Sequence, residues 1–201
     1  MKKILIATKN LGKFNEFKDF LKQLSFELVS LEDLKIDKDI KEDGKTYRQN
    51  SVKKALFFAK ISNLLTIADD GGIEISALNN KPGIQTRRWL GHHSTDEELI
   101  NHMFKILKIL PDNNRKARFR TIVSFALPNG KVFSRAGQVN GIISKNPKPN
   151  FIKGYPFRSF FYLPKIKKFF YENELSNLEQ KLYNHRYKAI QKLIPIIKKY
   201  A

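Results

Sequence analysis

Two adjacent acids, Asp69 and Asp70, close the otherwise apolar segment LLTIADD and are followed at once by two glycines. In an α/β chain, carboxylates placed just outside a strand end stand where a metal ion or a substrate is met. If the strand continues, neighbouring acids point to opposite sides, so one serves a site while the other holds structure. The competing reading is a solvated DDGG turn. Glu42, in EDGK, is a further oxygen donor that would complete a ligand set, unless it simply faces solvent. Cationic residues supply the opposite charge. Lys13 stands where a helix opens behind the polar turn Thr8, Lys9, Asn10, a placement suited to an anion. Lys54 sits among apolar helix positions and reads either as a phosphate contact or as a side chain whose head snorkels to water. Arg88, behind PGI, offers a planar donor set to phosphate or is a surface arginine. His185 and Arg186 open the last helix, where backbone N–H groups and cationic side chains would receive a nucleotide. His92 and His93 lack the cysteines or close acid pair that zinc would need.

The elements that must position these groups follow from periodicity. KILIA reads as a buried strand, and Phe14, Phe17, Leu21 and Leu24 recur at helical spacing behind it. A short strand is expected near Phe26 to Val29, then a polar loop over 32–45. Val52, Ala55, Leu56 and Ala59 mark one face of a helix from Tyr47 to about Ile61. LLTIADD is expected as a second buried strand, and GGIEISAL as a separate alternating one. Thr95 to Leu110 reads as a helix with three acids in its first turn. ARFRTIVSFAL and GKVFSRAGQV are joined through PNG, a hairpin signal. A long loop follows Gly141, FFYLP reads as a strand, and Pro195 bends or ends the last helix. This alternation predicts an α/β core.

Composition sets the bounds. The chain has 201 residues, of which 41% are hydrophobic and 28% charged, as in a folded protein with one domain spanning 1–201. It has no cysteine, which excludes disulfides and cysteine-based zinc sites. The apolar run near the start, Ile4 to Ala7, is too short for a secretory signal, and no run of about 18 apolar residues suggests a membrane span. The net charge is +19, and residues 131–201 carry 15 Lys or Arg against three Glu. Such a field attracts nucleotides, nucleic acid and anionic membranes alike, so charge does not choose among them.

Taken in order, these segments resemble the inosine triphosphate pyrophosphatase family, which removes nonstandard purine nucleoside triphosphates. TKNLGKFNEF is similar to the family's Thr-Gly-Asn-x-x-Lys turn, EDGKTYRQNSVKKA to its Glu-x-Gly-x-x-Phe-x-x-Asn-Ala-x-x-Lys-Ala segment, and IADDGG to its Ala-Asp-Asp-Ser-Gly. PGIQTRRWLG, ARFRT, Gly137, Gly141 and NHR continue the series. The resemblance implies an elongated α/β fold with a central twisted mixed sheet flanked by helices, and two lobes with the active site in the cleft between them. It implies Mg2+ held by Glu42 and Asp70, with Asp70 activating water. It places the triphosphate on the turn Thr8, Lys9, Asn10, Leu11, Gly12 and Lys13, with Lys13 catalytic. Lys54, Gly71 and Arg88 would add phosphate contacts, while Tyr155, Arg158, Gln180, Lys181, His185 and Arg186 would meet the nucleoside. A cytoplasmic homodimer with a housekeeping role is expected, with no specific nucleic-acid partner and no membrane partner.

The chain departs from that pattern in places. Lys9 replaces a glycine, at a cost in strain if the position needs a positive φ. Gly71 replaces a serine, and Gln180 stands where a lysine is common, with Lys181 beside it. In KGYPFRSFFYLP, Tyr155 matches the family, but Pro156 occupies the place of an aspartate. Arg158 presents donors only, which suit a keto oxygen or a ring-nitrogen acceptor. Two other readings therefore stand: the same fold and chemistry with altered base choice, and a noncatalytic protein that binds nucleotide or RNA.

Overall fold

The apolar run behind Lys3 is covered on both faces: Ile4, Leu5, Ile6 and Ala7 are all fully buried. In the computed structural model, which describes residues 2–171 and 174–200, this run forms β1 (Lys3–Ile6). β1 pairs in parallel with β2 (Glu27–Ser30) and with the start of β3 (Leu65–Ile75). Behind them come β4 (Lys81–Pro82), β5 (Lys116–Ala126), β6 (Val132–Ile143), β7 (Phe161–Leu163) and β8 (Lys168–Phe169). The sheet order is β2-β1-β3-β5-β6-β7-β8, with β4 paired to β3. The β6-β7-β8 pairings are antiparallel, so the sheet is mixed, as expected. The helices are α1 (Leu11–Leu21), α2 (Tyr47–Ser62), α3 (Asp96–Ile109), α4 (Asn177–Leu182), α5 (His185–Gln191) and α6 (Ile194–Tyr200).

The chain divides into two compact units, one of Met1–Asp70, Thr121–Gly137 and Arg186–Ala201, the other of Gly71–Arg120 and Gln138–His185. In the first, strand alternation sorts residues onto two helical covers. Ile4, Ile6, Ile67, Val123 and Phe125 pack with Phe17 and Phe20 of α1 and with Ile190 and Ile197 near the C-terminus. Their neighbours Leu5, Ala68 and Ala126 face the other way, against Ala55, Phe58 and Ala59 of α2. A period of two along each strand thus decides which helix each side chain meets. The second unit has its own core, where Leu99 and Met103 of α3 meet Phe157, Phe160, Phe161 and Phe170, and Trp89 packs half-buried against them.

Helix ends are set by side chains. Asn10 and Thr46 accept from the third residue of α1 and α2 at 3.1 Å each, and Thr95 with Glu98 forms a reciprocal capping box on α3. The PNG turn closes the β5–β6 hairpin through Leu127 N–H to the Lys131 carbonyl, with Gly130 at φ +90°.

Two expectations needed correction. LLTIADD runs without a break into GGIEISAL as one strand, β3 (Leu65–Ile75), and Ser76–Leu78 follow as a 3-10 turn. Gly72 is there for close approach rather than for a turn, because a Cβ would collide with the Thr86 side chain and the Gly83 carbonyl. Thr86 Oγ1 also receives the Ile73 N–H at 3.1 Å. The C-terminal helix breaks at Lys192 and Leu193, ahead of Pro195. That proline sits in the first turn of α6, where its missing N–H costs nothing. Among the described residues no helix is long and apolar enough to cross a membrane.

Candidate active site

Strand alternation divides the labour of the two acids. Asp69 shares the face of Ile67, toward α1 and the C-terminal helices, and is 1% exposed. Its Oδ1 takes Lys13 Nζ at 3.1 Å and its Oδ2 takes Arg186 Nε at 2.8 Å. Arg186 Nη1 continues to Glu16 Oε2 at 3.1 Å, and Thr121 Oγ1 donates to the Asp70 carbonyl at 2.9 Å. Burial works against the Asp69 charge, but Lys13 and Arg186, with Lys54 beyond them, hold its pKa well below the usual carboxylate range. Asp69 is therefore an ionised anchor joining α1 to α5.

Asp70 shares the face of Ala68, toward α2, and is 8% exposed. Its Oδ2 accepts from Asn50 Nδ2 at 2.9 Å. Burial and the charge of Glu42 push its pKa up to about 6, against the opposing pull of Lys54. Lys54 is ion-paired to Glu42 in a short contact. Burial disfavours the Lys54 charge, yet Glu42, Asp69 and Asp70 outweigh it and raise its pKa. Lys13 goes the other way: burial lowers its pKa more than Asp69 restores it, with Arg186 and Lys54 adding to the fall. Asn50 and Lys54 lie four residues apart on α2, so one helix face serves both carboxylates.

Glu42 and Asp70 suit Mg2+. They are hard oxygen donors, and the repulsion that raises Asp70 is what a divalent cation relieves. Among the described residues no group of three or more metal-binding side chains occurs. Two carboxylates leave positions for water and phosphate, which is how Mg2+ is commonly bound.

The turn before α1 is built as a cap. Thr8 Oγ1 accepts from Asn10 N at 3.2 Å, and Asn10 Oδ1 from Lys13 N. Lys9 is outside the left-handed region, so lysine there carries no strain; its Nζ lies 3.3 Å from Asp39 Oδ2. Leu11 opens α1 with 70% exposure, and Gly12 follows half-buried. Lys13, Glu42, Lys54, Asp70 and Arg186 thus fall in one network with Asp69.

The remaining sequence candidates lie in the second unit. Arg158 is 4% exposed, its guanidinium carbon 3.6 Å from the Tyr155 ring centre and 4.6 Å from that of Phe170. His185 is buried, stacked on Phe119 at 5.4 Å with Phe170 at its edge. Tyr155, Arg158 and His185 therefore gather around Phe170. Asp96 fixes the approach to this cluster, accepting from Arg87 Nη1 at 2.6 Å and from Gly154 N at 2.5 Å. Gln180 Nε2 donates to the Leu175 carbonyl at 3.1 Å, and Lys181 is half-buried beside it on α4. Arg88 Nε donates to Gln85 in a 3-10 turn, and Gly71 continues β3.

Sequence reasoning left Asn50, Glu16 and Thr121 without roles. A polar residue at i−4 from Lys54, on the first turn of a helix behind an acidic loop, was the available signal for Asn50.

Comparison with known proteins gives the family and the fold. A profile described as the Ham1 family matches residues 4–196. The dITP/XTP pyrophosphatase of Desulforamulus reducens is 32% identical over 195 residues, covering 97% of this chain and 95% of that protein. Its counterpart in Thermus thermophilus is 34% identical over 196 residues, covering 98% and 92%. Among solved structures, the Staphylococcus aureus Ham1 protein superposes with a TM-score of 0.79 at 31% identity, covering 100% of both chains. A HAM1 protein from Coxiella burnetii gives 0.81 at 28% identity, covering 99% and 100%.

Proposed function

The chain belongs to the Ham1 family, and from that premise we propose that it is a Mg2+-dependent pyrophosphatase of nonstandard purine nucleoside triphosphates such as ITP, dITP and XTP. The observation that carries this is the pair Glu42 and Asp70, gripped by one face of α2 with Lys13 and Lys54 in the same network.

Mg2+ held by Glu42 and Asp70 would screen phosphate charge and lower the pKa of a water. Asp70 takes the proton of the attacking water as the new bond to the α-phosphorus forms. The bond from that phosphorus to the bridging oxygen breaks, and pyrophosphate leaves with the electron pair. Lys13 and Lys54 meet the charge gathering on the leaving oxygens, and the N-terminus of α1 adds its N–H groups. Asp69 holds Lys13 in place from below. The family resemblance makes Tyr155, Arg158 and His185 the candidate base contacts, and the donors of an arginine suit a 6-keto oxygen. With an arginine in this cluster and proline at 156, a shifted base preference is the second reading.

The same proposal takes 1–201 as one pyrophosphatase domain acting as a homodimer in the cytoplasm, where the triphosphate pool is drawn on for nucleic-acid synthesis. Initial rates with Mg2+ for ITP, dITP, XTP, GTP, ATP and dUTP, with product identification, test it. Monophosphate and pyrophosphate from ITP or XTP in preference to GTP are expected, with a loss of at least 100-fold in Asp70→Asn. Asp70-dependent hydrolysis of another nucleotide moves the specificity and keeps the mechanism; no hydrolysis of any overturns the enzyme reading.

A further inference from the structure

We infer that Asn50 is a positioning residue that assembles the two-carboxylate site, joining the loop that carries Glu42 to the strand that carries Asp70. Its amide works in both directions. Oδ1 accepts from Gly44 N at 2.8 Å, and Nδ2 donates to Asp70 Oδ2 at 2.9 Å. A backbone N–H only donates, so the Gly44 contact fixes which end of the amide is oxygen and turns the NH2 toward the acid. Asn50 is 1% exposed, so water does not substitute for either bond.

The surroundings single out this side chain. The loop is tied to α2 elsewhere, by Lys45 N to Gln49 Oε1 at 2.7 Å and by Lys53 Nζ to the Lys41 carbonyl at 2.9 Å and Asp43 at 2.7 Å. Those bonds, like the Lys54–Glu42 ion pair, hold the loop on the helix. Asn50 carries the tie on to β3 by its hydrogen bond to Asp70 Oδ2. Gly44 has no room for a side chain: a Cβ would lie 2.6 Å from Asn50 Oδ1 and 2.8 Å from Gln49 Cβ. The glycine in the acidic loop is thus read as the seat of the Asn50 amide.

The inference rests on the proposed metal site, and its test has a readout separate from hydrolysis. Binding of Mn2+ alone, followed by its EPR signal, is measured for wild type, Asn50→Ala, Gly44→Ala and Asp70→Ala, each checked for folding by circular dichroism. The Mg2+ dependence of ITP hydrolysis is measured in parallel. Asn50→Ala and Gly44→Ala are expected to weaken Mn2+ binding about 10-fold or more and to raise the Mg2+ needed for half-maximal rate by a similar factor. The rate at saturating Mg2+ should change much less. If Asn50→Ala does not fold, Gly44→Ala disturbs the same amide from the loop side. A folded variant that binds Mn2+ as wild type does, or that loses rate at all Mg2+ concentrations equally, overturns the inference, as does a wild type that binds no Mn2+. Metal binding that depends on Asn50 in a protein without hydrolysis overturns the enzyme reading and leaves this one standing.

Discussion

Asp69 and Asp70 are chemically identical neighbours with opposite contributions to stability. Asp69 has its pKa depressed, so its ion pairs stabilise the fold above the unfolded value and are lost as the pH falls through the folded one. Replacing it leaves Lys13 and Arg186 with a neutral partner, and Asp69→Asn should cost about 3 kcal/mol at pH 8. Asp70 behaves in reverse. Its pKa rises from 3.8 to about 6, so the folded state binds more protons and stability declines as the pH rises across that window. Above it, the ionised group costs on the order of 2–3 kcal/mol. In the presence of EDTA, Asp70→Asn should therefore melt higher than wild type at pH 8, and the gain should vanish toward pH 4. Thermal melts of both variants across that range check the prediction; equal destabilisation by the two would overturn it. The sequence offered a division of roles between the two acids only if the strand ran on through them, with a solvated turn as the other reading. Which bonds do the holding was hidden, because Arg186 and Glu16 lie 170 residues apart along the chain.

Several elements were legible in the sequence: β1, α1 and α2 fall where the apolar repeat puts them, α3 where its first-turn acids do, and the β5–β6 hairpin where PNG does. The two misread places share a cause. Glycine pairs and proline are turn signals when read locally, but Gly72 answers to Thr86 and Gly83 across the fold, and Pro195 is tolerated at a helix start. The acids in the first turn of α3 were legible; the capping box they belong to came from the structure. Thr95 and Glu98 form their reciprocal bonds at 3.2 and 2.7 Å, so Thr95→Ala should destabilise the protein by about 1 kcal/mol. Thr95→Ser should recover most of it in a denaturant titration. An unchanged midpoint for Thr95→Ala would show that α3 is held by its buried face alone.

For the whole molecule, a charge of +19 acts at long range and without specificity. Much of it is solvated at the surface, while Lys13, Lys54 and Arg186 spend theirs on buried acids. Duplex DNA of unrelated sequences should bind weakly, with equal affinity, and be released as salt rises from 0.05 to about 0.3 M. Filter binding or fluorescence anisotropy checks this, and a strong preference for one sequence would contradict it. Turnover of nucleotide should respond to salt mainly through KM, since steering acts before chemistry.

The unbroken course of β3 has a consequence for how this site is inherited. A strand meets its two covers on alternate residues, so it behaves like a reading frame of period two. Substitutions between Leu65 and Ala68 change the letters and keep the frame. The loss or gain of one residue there would shift the frame, sending Asp69 to α2 and Asp70 to the arginine, with every side chain still present in the sequence. Composition around the acids can change without moving either of them, but length in this segment is fixed by parity.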